Sequence, residues 1–526
     1  MVWFLVQINE WYKDFYSALQ EYKHESFWDL VGTFTFLAFC YIMIAVYAIY
    51  LRQLLEIRWR TWMTKNYLNS WMQGQTYYRL QSSTDNPDQR ISEDINSFVS
   101  LTLQLIIGLL RQITTLVAFS FVLWELSGDF KFNFGGSEII IPGYMFWFSL
   151  IYSGVGTFLV HLVGKKLIGL NFDQQKYEAD FRFSMMRVRE NAESIAFYRG
   201  ENSELEGFGA RFKNVIENFR RLMTKTKHLN FYANAYGQLA VIVPLLLAAP
   251  RYFSKAMDLG GLMQTISAFG RVQDALSFFV DSYGTLANLG AVINRLDGFT
   301  EHVKEVQKIE SKVEKSDAAK LTISDLNISL PNGKELLKKL SFSLENSKSL
   351  LVTGASGCGK STLLRTLAGI WAYAEGKIAL PTNSKIMFLP QKPYLPLGSL
   401  RRALVYPFAE KDAPPDEKLA EVLKSVNLPN LTEKLSAVED WSRILSVGEQ
   451  QRLAFARVLL AAPNYIFLDE ATSALDEPRE LEMYKLLKEK LPALTIISVG
   501  HRSTLFEVHD TELKLDGAGN WTFRNY

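Results

Sequence analysis

Long apolar runs separated by charged segments fill the first half of the chain. Short apolar runs alternating with helix-like stretches fill the second. A helix that crosses a bilayer needs about 20 apolar residues. Five segments qualify as candidate spans: 29–53, 97–124, 139–164, 229–253 and 260–296. The fifth is the weakest, because Gln264, Arg271, Gln273, Asp274 and Asp281 interrupt it. Lys and Arg gather in cytoplasmic loops, which orients the spans. Arg52, Arg58, Arg60 and Lys65 follow the first span and mark the inside. The 125–138 loop carries only Lys131 and marks the outside, and the basic stretch 165–228 is again inside. Five spans with an inside C-terminal half put Met1 outside.

The pattern changes after the spans. Residues 300–320, "TEHVKEVQKIESKVEKSDAAK", are charged and read as a linker or surface helix. From 321 onward, β-rich runs such as "SLLVTGA", "NYIFLDE" and "LTIISVG" alternate with helical stretches, the pattern of an α/β domain with a largely parallel sheet. The expected division is a helical transmembrane domain with cytoplasmic helix extensions over 1–299, a linker over 300–320, and an α/β domain over 321–526.

Composition agrees with a membrane part joined to a soluble part. The chain has 526 residues, too many for one core, and its mean hydropathy of +0.01 is high for a soluble protein. Net charge is +2, which gives no reason to expect a nucleic-acid partner. Cys40 and Cys358 make no disulfide framework. Arg111 lies within the second span, where a charge is costly unless it faces protein or water. Arg271 and Asp274 stand one helical turn apart and can share a face. Between the first two spans, "DNPDQRISEDI" (85–95) reads as a helix entry. Asn86 can cap, Pro87 suits the first turn, Gln89 can close a capping box with Asn86, and Arg90 can meet Glu93 or Asp94.

The α/β half carries the chemistry. "GASGCGKST" (354–362) follows a strand-like run and precedes a helix-like one, fitting G-x-x-x-x-G-K-[ST] in its required context. Backbone N–H groups of Gly354, Ala355, Ser356, Gly357, Cys358 and Gly359 are placed to curl round phosphates, with Thr362 closing the motif. Lys360 is placed to reach the outer phosphates of ATP and Ser361 to ligate Mg²⁺. "YIFLDE" (465–470) is an apolar strand ending in two carboxylates: Asp469 as an Mg²⁺ ligand and Glu470 as the general base for water.

"LSVGEQQR" (445–452), lying between these motifs, resembles the signature of ATP-binding cassette (ABC) proteins. Gln391 in "FLPQKPY" resembles the Q-loop glutamine that senses Mg²⁺, Asp476 in "SALD" the D-loop, and His501 in "SVGHR" the switch histidine. The resemblance implies that two cassettes close around two ATP molecules. Each site would join one chain's phosphate loop to Ser446, Gly448 and Glu449 of the other. Two departures stand out: Val447 replaces a signature glycine, and Glu449 replaces the glutamine. The position of the adenine-stacking aromatic is taken by Leu330.

Residues 57–81, 85–95 and 178–204 resemble the SbmA/BacA-like bacterial branch of ABC half-transporters, and also peroxisomal fatty-acyl half-transporters. This resemblance implies an exporter-type homodimer in the bacterial inner membrane with cytoplasmic cassettes and six spans per chain. Most of a first span before residue 11 is then expected to be missing from this sequence, a true five-span protein being the alternative. The implied activity is an ATPase that moves a peptide-like, corrinoid-like or long-chain acyl cargo. An ATP-gated channel or regulator on the same frame is the alternative.

Overall fold

The structure is a computed structural model that describes residues 1–80, 87–134, 137–308 and 311–526. It divides into two compact units. The first comprises Met1–Gln73 with Leu80–Val303, and the second Gly74–Arg79 with Lys304–Tyr526.

The first unit is helical. Its main helices are α1 (Val2–Gln20), α2 (His24–Met72), α3 (Ile95–Ser127), α4 (Tyr144–Glu190), α5 (Ala192–Tyr198), α6 (Glu201–Phe253), α7 (Leu259–Asp281) and α8 (Tyr283–Lys308). A two-stranded antiparallel ribbon, β1 (Asp129–Phe134) and β2 (Ser137–Pro142), joins α3 to α4. Among the described residues, three helices are long and apolar enough to cross a membrane: His24–Arg79, Pro87–Ser127 and Glu201–Phe253. Tyr144–Leu159 and Gly164–Glu190, bent by 42°, make a fourth if taken as one span. Much of the apolar surface of α2 is left exposed, Phe36, Phe39 and Tyr47 among it. That exposure suits a lipid surround.

The fifth expected span, 260–296, differs. It is broken near Ser282 into α7 and α8, and neither passes the same test of length and apolarity. The physical reason is its position. α7 packs against α1, α3, α4 and α6, and it contributes Leu262, Ala268, Phe269 and Val272 to the buried cluster. A helix surrounded by other helices needs less lipid-facing apolar surface, so polar residues are tolerated on it. Asn9 of α1 donates to the carbonyl of Gln264 on α7 at 3.1 Å in this core. Long helices α4 and α6 are tied along their length by Tyr144 to Leu247 O and Tyr152 to Tyr236 O, each 2.7 Å, and by Asn218 to Leu170 O at 2.9 Å.

The entry to α3 is only partly as the sequence suggests. Asn86 lies outside the described residues. Pro87–Gln89 is a helical turn, and Arg90–Asp94 follows as one π-helical turn leading into α3. Gln89 donates to Glu93 at 3.0 Å, so its side chain points down the helix. Arg90 meets Asp94 at 3.0 Å, and Arg295 of α8 grips the same carboxylate at 2.9 and 2.6 Å.

The second unit is α/β. The stretch expected as a linker or surface helix is helix to Lys308, and then strand β3 (Lys312–Asp317). β3 pairs with β7 (Ala374–Leu380), so this charged segment is a sheet edge. A four-stranded sheet runs β3-β7-β4-β5, with β4 (Leu321–Ser329) and β5 (Glu335–Leu344) antiparallel. A six-stranded sheet carries β6 (Ser349–Gly354), β8 (Ile386–Leu389), β9 (Tyr465–Asp469), β10 (Thr495–Val499), β11 (Thr511–Leu515) and β12 (Trp521–Asn525), in the order β12-β11-β6-β10-β9-β8. All neighbours are parallel except β11 and β12. The helices α9 (Lys360–Leu367), α10 (Leu400–Val405), α11 (Asp416–Ser425), α12 (Val447–Ala461) and α13 (Glu477–Lys490) complete it. Apolar residues fill β6, β9 and β10 almost without interruption, as expected for strands covered on both faces.

Candidate nucleotide site

Parallel pairing gathers the site. Val352 of β6 lies opposite Val499 of β10, and Val499 opposite Asp469 of β9. β9 and β10 therefore end level while β6 runs on to Gly354, and the loops after them emerge on one edge of the sheet, where α/β folds place ligands.

The first loop is 354–359, between β6 and α9. Gly354 has φ +139°, and a Cβ there would lie 2.4 Å from the carbonyl oxygen of Leu515. Gly359, at φ +102°, precedes the first residue of α9. Only glycine suits these two positions. Lys360 is buried, and its ammonium donates back to the carbonyls of Gly354 at 2.8 Å and Ala355 at 3.0 Å. Cys358 is also buried, with its thiol turned into the domain rather than outward. Ser356 and Gly357 lie at the exposed crest of the loop, and Thr362 stands in the first turn of α9, its carbonyl accepting from Thr366 at 2.9 Å.

Ser361 donates to Asp469 Oδ1 at 2.9 Å, joining the start of α9 to the end of β9. Burial pushes the Asp469 carboxyl above its usual range, offset in part by that hydrogen bond, and neighbouring Glu470 pushes it further up. A cation would relieve this. Among the described residues no group of three or more His, Cys, Asp or Glu could hold a metal alone. Ser361 and Asp469 nevertheless form the pair of hard oxygen donors that Mg²⁺ takes alongside phosphate and water.

Glu470 has φ +48°, uncommon for a residue with a side chain. Its N–H is held by the Val499 carbonyl at 3.2 Å. One carboxylate oxygen accepts from the Gln391 amide at 3.0 Å, and the other faces His501 Nε2 at 3.2 Å. Three separate loops thus meet at one carboxylate. The Gln391 side chain thus bonds Glu470 rather than the Ser361–Asp469 pair.

Ser446, Val447, Gly448 and Glu449 form the start of α12. Among the described residues no hydrogen bond or ion pair joins them to the phosphate loop of the same chain. Val447 is 48% exposed, so the replacement of glycine there meets no clash within the chain. A Cβ on Gly448 would lie 3.2 Å from the Ala474 carbonyl, so its lack of a side chain lets the 473–476 loop pack closely. Asp476 precedes the first residue of α13 and lies 3.7 Å from Arg479. Leu330 occupies a tight turn, its N–H bonded to the Lys334 carbonyl at 2.8 Å.

Two connecting residues were missed in the sequence. Buried Gln451 donates to the Gln391 carbonyl at 3.0 Å and to Ser473 at 3.2 Å, and accepts from Ala474 N–H at 3.0 Å. Arg502 donates to the carbonyls of Leu475 at 2.6 Å and Ser473 at 3.1 Å. Together they stitch the loops of Gln391, Asp476 and His501. The signal was their position: Gln451 inside the signature run and Arg502 directly after the histidine.

Comparisons with known proteins agree with this geometry. Residues 1–253 match the family described as ABC transporter transmembrane region 2, and residues 337–473 match the ABC transporter family. The inner membrane ABC transporter ATP-binding protein YddA of Escherichia coli (strain K12) is 36% identical over 514 residues, covering 96% of this chain and 90% of that protein. The lysosomal cobalamin transporter ABCD4 of Homo sapiens is 30% identical over 509 residues, covering 89% and 81%. A solved bacterial Atm1-family ABC exporter with ATP bound superposes with a TM-score of 0.75 at 17% identity, over 98% of this chain and 91% of that one, which establishes a shared fold. This chain is therefore an ABC half-transporter related to the ABCD group, with an exporter-type membrane region and a cassette whose ATPase activity drives transport.

Proposed function

We propose that two copies of this chain form a homodimer of the SbmA/BacA-like kind in a bacterial inner membrane, with both cassettes in the cytoplasm. The observation that carries the catalytic part is Glu470 held between Gln391 and His501, at 3.0 and 3.2 Å, beside the phosphate loop. Ser361 and Asp469 would hold Mg²⁺, which supplies charge neutralisation at the phosphates. Lys360 leaves its two loop carbonyls and turns its ammonium to the outer phosphates. Glu470 orients the attacking water and takes its proton as the bond to the γ-phosphorus forms and the bond to the ADP oxygen breaks. His501 steadies that carboxylate and faces the γ-phosphate.

Ser446 and Gly448 of one chain complete the site on the other. Their position at a helix start, with no hydrogen bond or ion pair to their own phosphate loop among the described residues, supports that reading. Exposed Phe197 and Tyr198, at the end of α5, offer an apolar surface for a cassette of the partner. Closure on ATP and release after hydrolysis would then switch the membrane helices between inward- and outward-open forms.

Cargo is narrowed to three classes: peptide-like, corrinoid-like hydrophilic, and long-chain acyl. YddA is named as an inner membrane protein and ABCD4 as a cobalamin transporter, which supports the location and one cargo class. The test is ATPase stimulation by a panel of the three classes in reconstituted vesicles. One class is expected to raise hydrolysis in a saturable manner. A flat response across the panel would reject the cargo assignment.

A further inference from the structure

We infer that Glu449 sets how readily the cassettes engage ATP, by holding Ser446 away from the incoming phosphate. Glu449 is a positioning residue, and the inference rests on the proposed sharing of each nucleotide between two chains.

Ser446 and Glu449 form a reciprocal cap on α12. Ser446 N–H donates to Glu449 Oε2 at 2.9 Å, and the Ser446 hydroxyl donates to the same oxygen at 2.8 Å. The Glu449 N–H returns a bond to Ser446 Oγ at 3.3 Å. A serine hydroxyl has one proton to give, and an ionised carboxylate only accepts. Those donors, the Ser446 hydroxyl first, hold the Glu449 carboxyl below its ordinary range. The one donor that the Ser446 side chain can offer a phosphate is therefore already committed to a full negative charge.

A γ-phosphate arriving at this helix start meets two obstacles. Ser446 must give up its bond to Glu449 before it can donate to phosphate. The carboxylate also sits within one hydrogen bond of the place where phosphate charge arrives, and like charges at that range repel. Both costs fall when nucleotide engages rather than when the γ-phosphate bond breaks. The expected consequence is a cassette pair that needs more ATP to close and reopens readily. A glutamine would preserve the reciprocal cap through its carbonyl oxygen, while removing the charge and adding a donor of its own.

The test measures ATP hydrolysis by the full chain in vesicles. Glu449→Gln is expected to lower the KM for ATP roughly fivefold, with a kcat unchanged or reduced. Glu449→Asp, which keeps the charge, should not reproduce that fall in KM, and an equal fall in Glu449→Asp also overturns the inference. A KM that is unchanged or raised in Glu449→Gln overturns the inference. A parallel mixture of Lys360→Ala and Ser446→Ala chains separates the two layers of the argument. A mixed dimer keeps one intact shared site, so recovered hydrolysis supports sharing and leaves Glu449 to be judged on its KM. No recovery overturns the shared site and, with it, the role given to Glu449.

Discussion

Glu470 shows what a single residue contributes to this cassette. Its positive φ is a local cost, on the order of 1 kcal/mol, and it turns the carboxylate toward Gln391 and His501. The motif "FLDE" made the residue legible, but the backbone conformation that aims it was not, because φ depends on where the Val499 carbonyl stands. A second residue invisible as function is His509. It is buried, with Nδ1 bonded to the Leu505 carbonyl at 2.7 Å and Nε2 to Ser498 at 2.9 Å. Tyr484 bonds the same Ser498 at 3.1 Å. Burial pushes the His509 pKa down from 6.5 to about 4. The folded value lies below the unfolded one, so the unfolded chain takes up the proton first on acidification. Stability from this residue is complete above pH 6.5 and is lost as pH falls from there toward 4. Between pH 7 and 5 the loss should be about 2 kcal/mol. Thermal unfolding of the cassette in the purified full chain should show a falling midpoint over that window, flattened in His509→Gln. An equal fall in the variant would reject His509 as the source.

Among the elements, the turn leading into α3 links two distant parts of the first unit. The Asp94 side chain is only 6% exposed, and it is held by Arg90 from its own turn and by Arg295 from α8. α8 continues to Lys308, and the cassette strands follow it in the chain. Arg90 and Asp94 were readable as a helical pair from their spacing. Arg295 was not, since no local pattern relates positions so far apart. The edge strand Lys312–Asp317 was hidden for another reason. Five of its six residues are exposed, so it has none of the alternating apolar pattern that marks a half-buried strand. The β1–β2 ribbon was likewise absorbed into a loop and the start of a span. If the Asp94 grip couples membrane helices to cassettes, Arg90→Ala and Arg295→Ala should each retain ATPase activity and lose transport. Transport at the unsubstituted level in both variants would remove that role.

For the molecule as a whole, the two units differed in how much the sequence disclosed. In the cassette, the candidate residues sit at strand ends and helix starts, and short motifs mark those places. Nearly every candidate position could therefore be named before the strand order was known. In the membrane unit, hydropathy located α2, α3 and α6, and its weakest segment falls on α7, whose neighbours are protein helices. No short motif marks a cargo site, because such a site is made of side chains from several helices and, by the proposal, from two chains. The central claim is that ATP hydrolysis at Glu470 drives cargo across the membrane rather than opening a passage for it. The direct measurement is accumulation of the stimulating cargo in sealed vesicles holding the full chain, with ATP supplied on the cassette side. Transport predicts that cargo is concentrated beyond equilibration across the membrane, and that Glu470→Gln abolishes the accumulation. Flux that stops at equal concentrations in the unsubstituted chain would contradict the account and identify a channel.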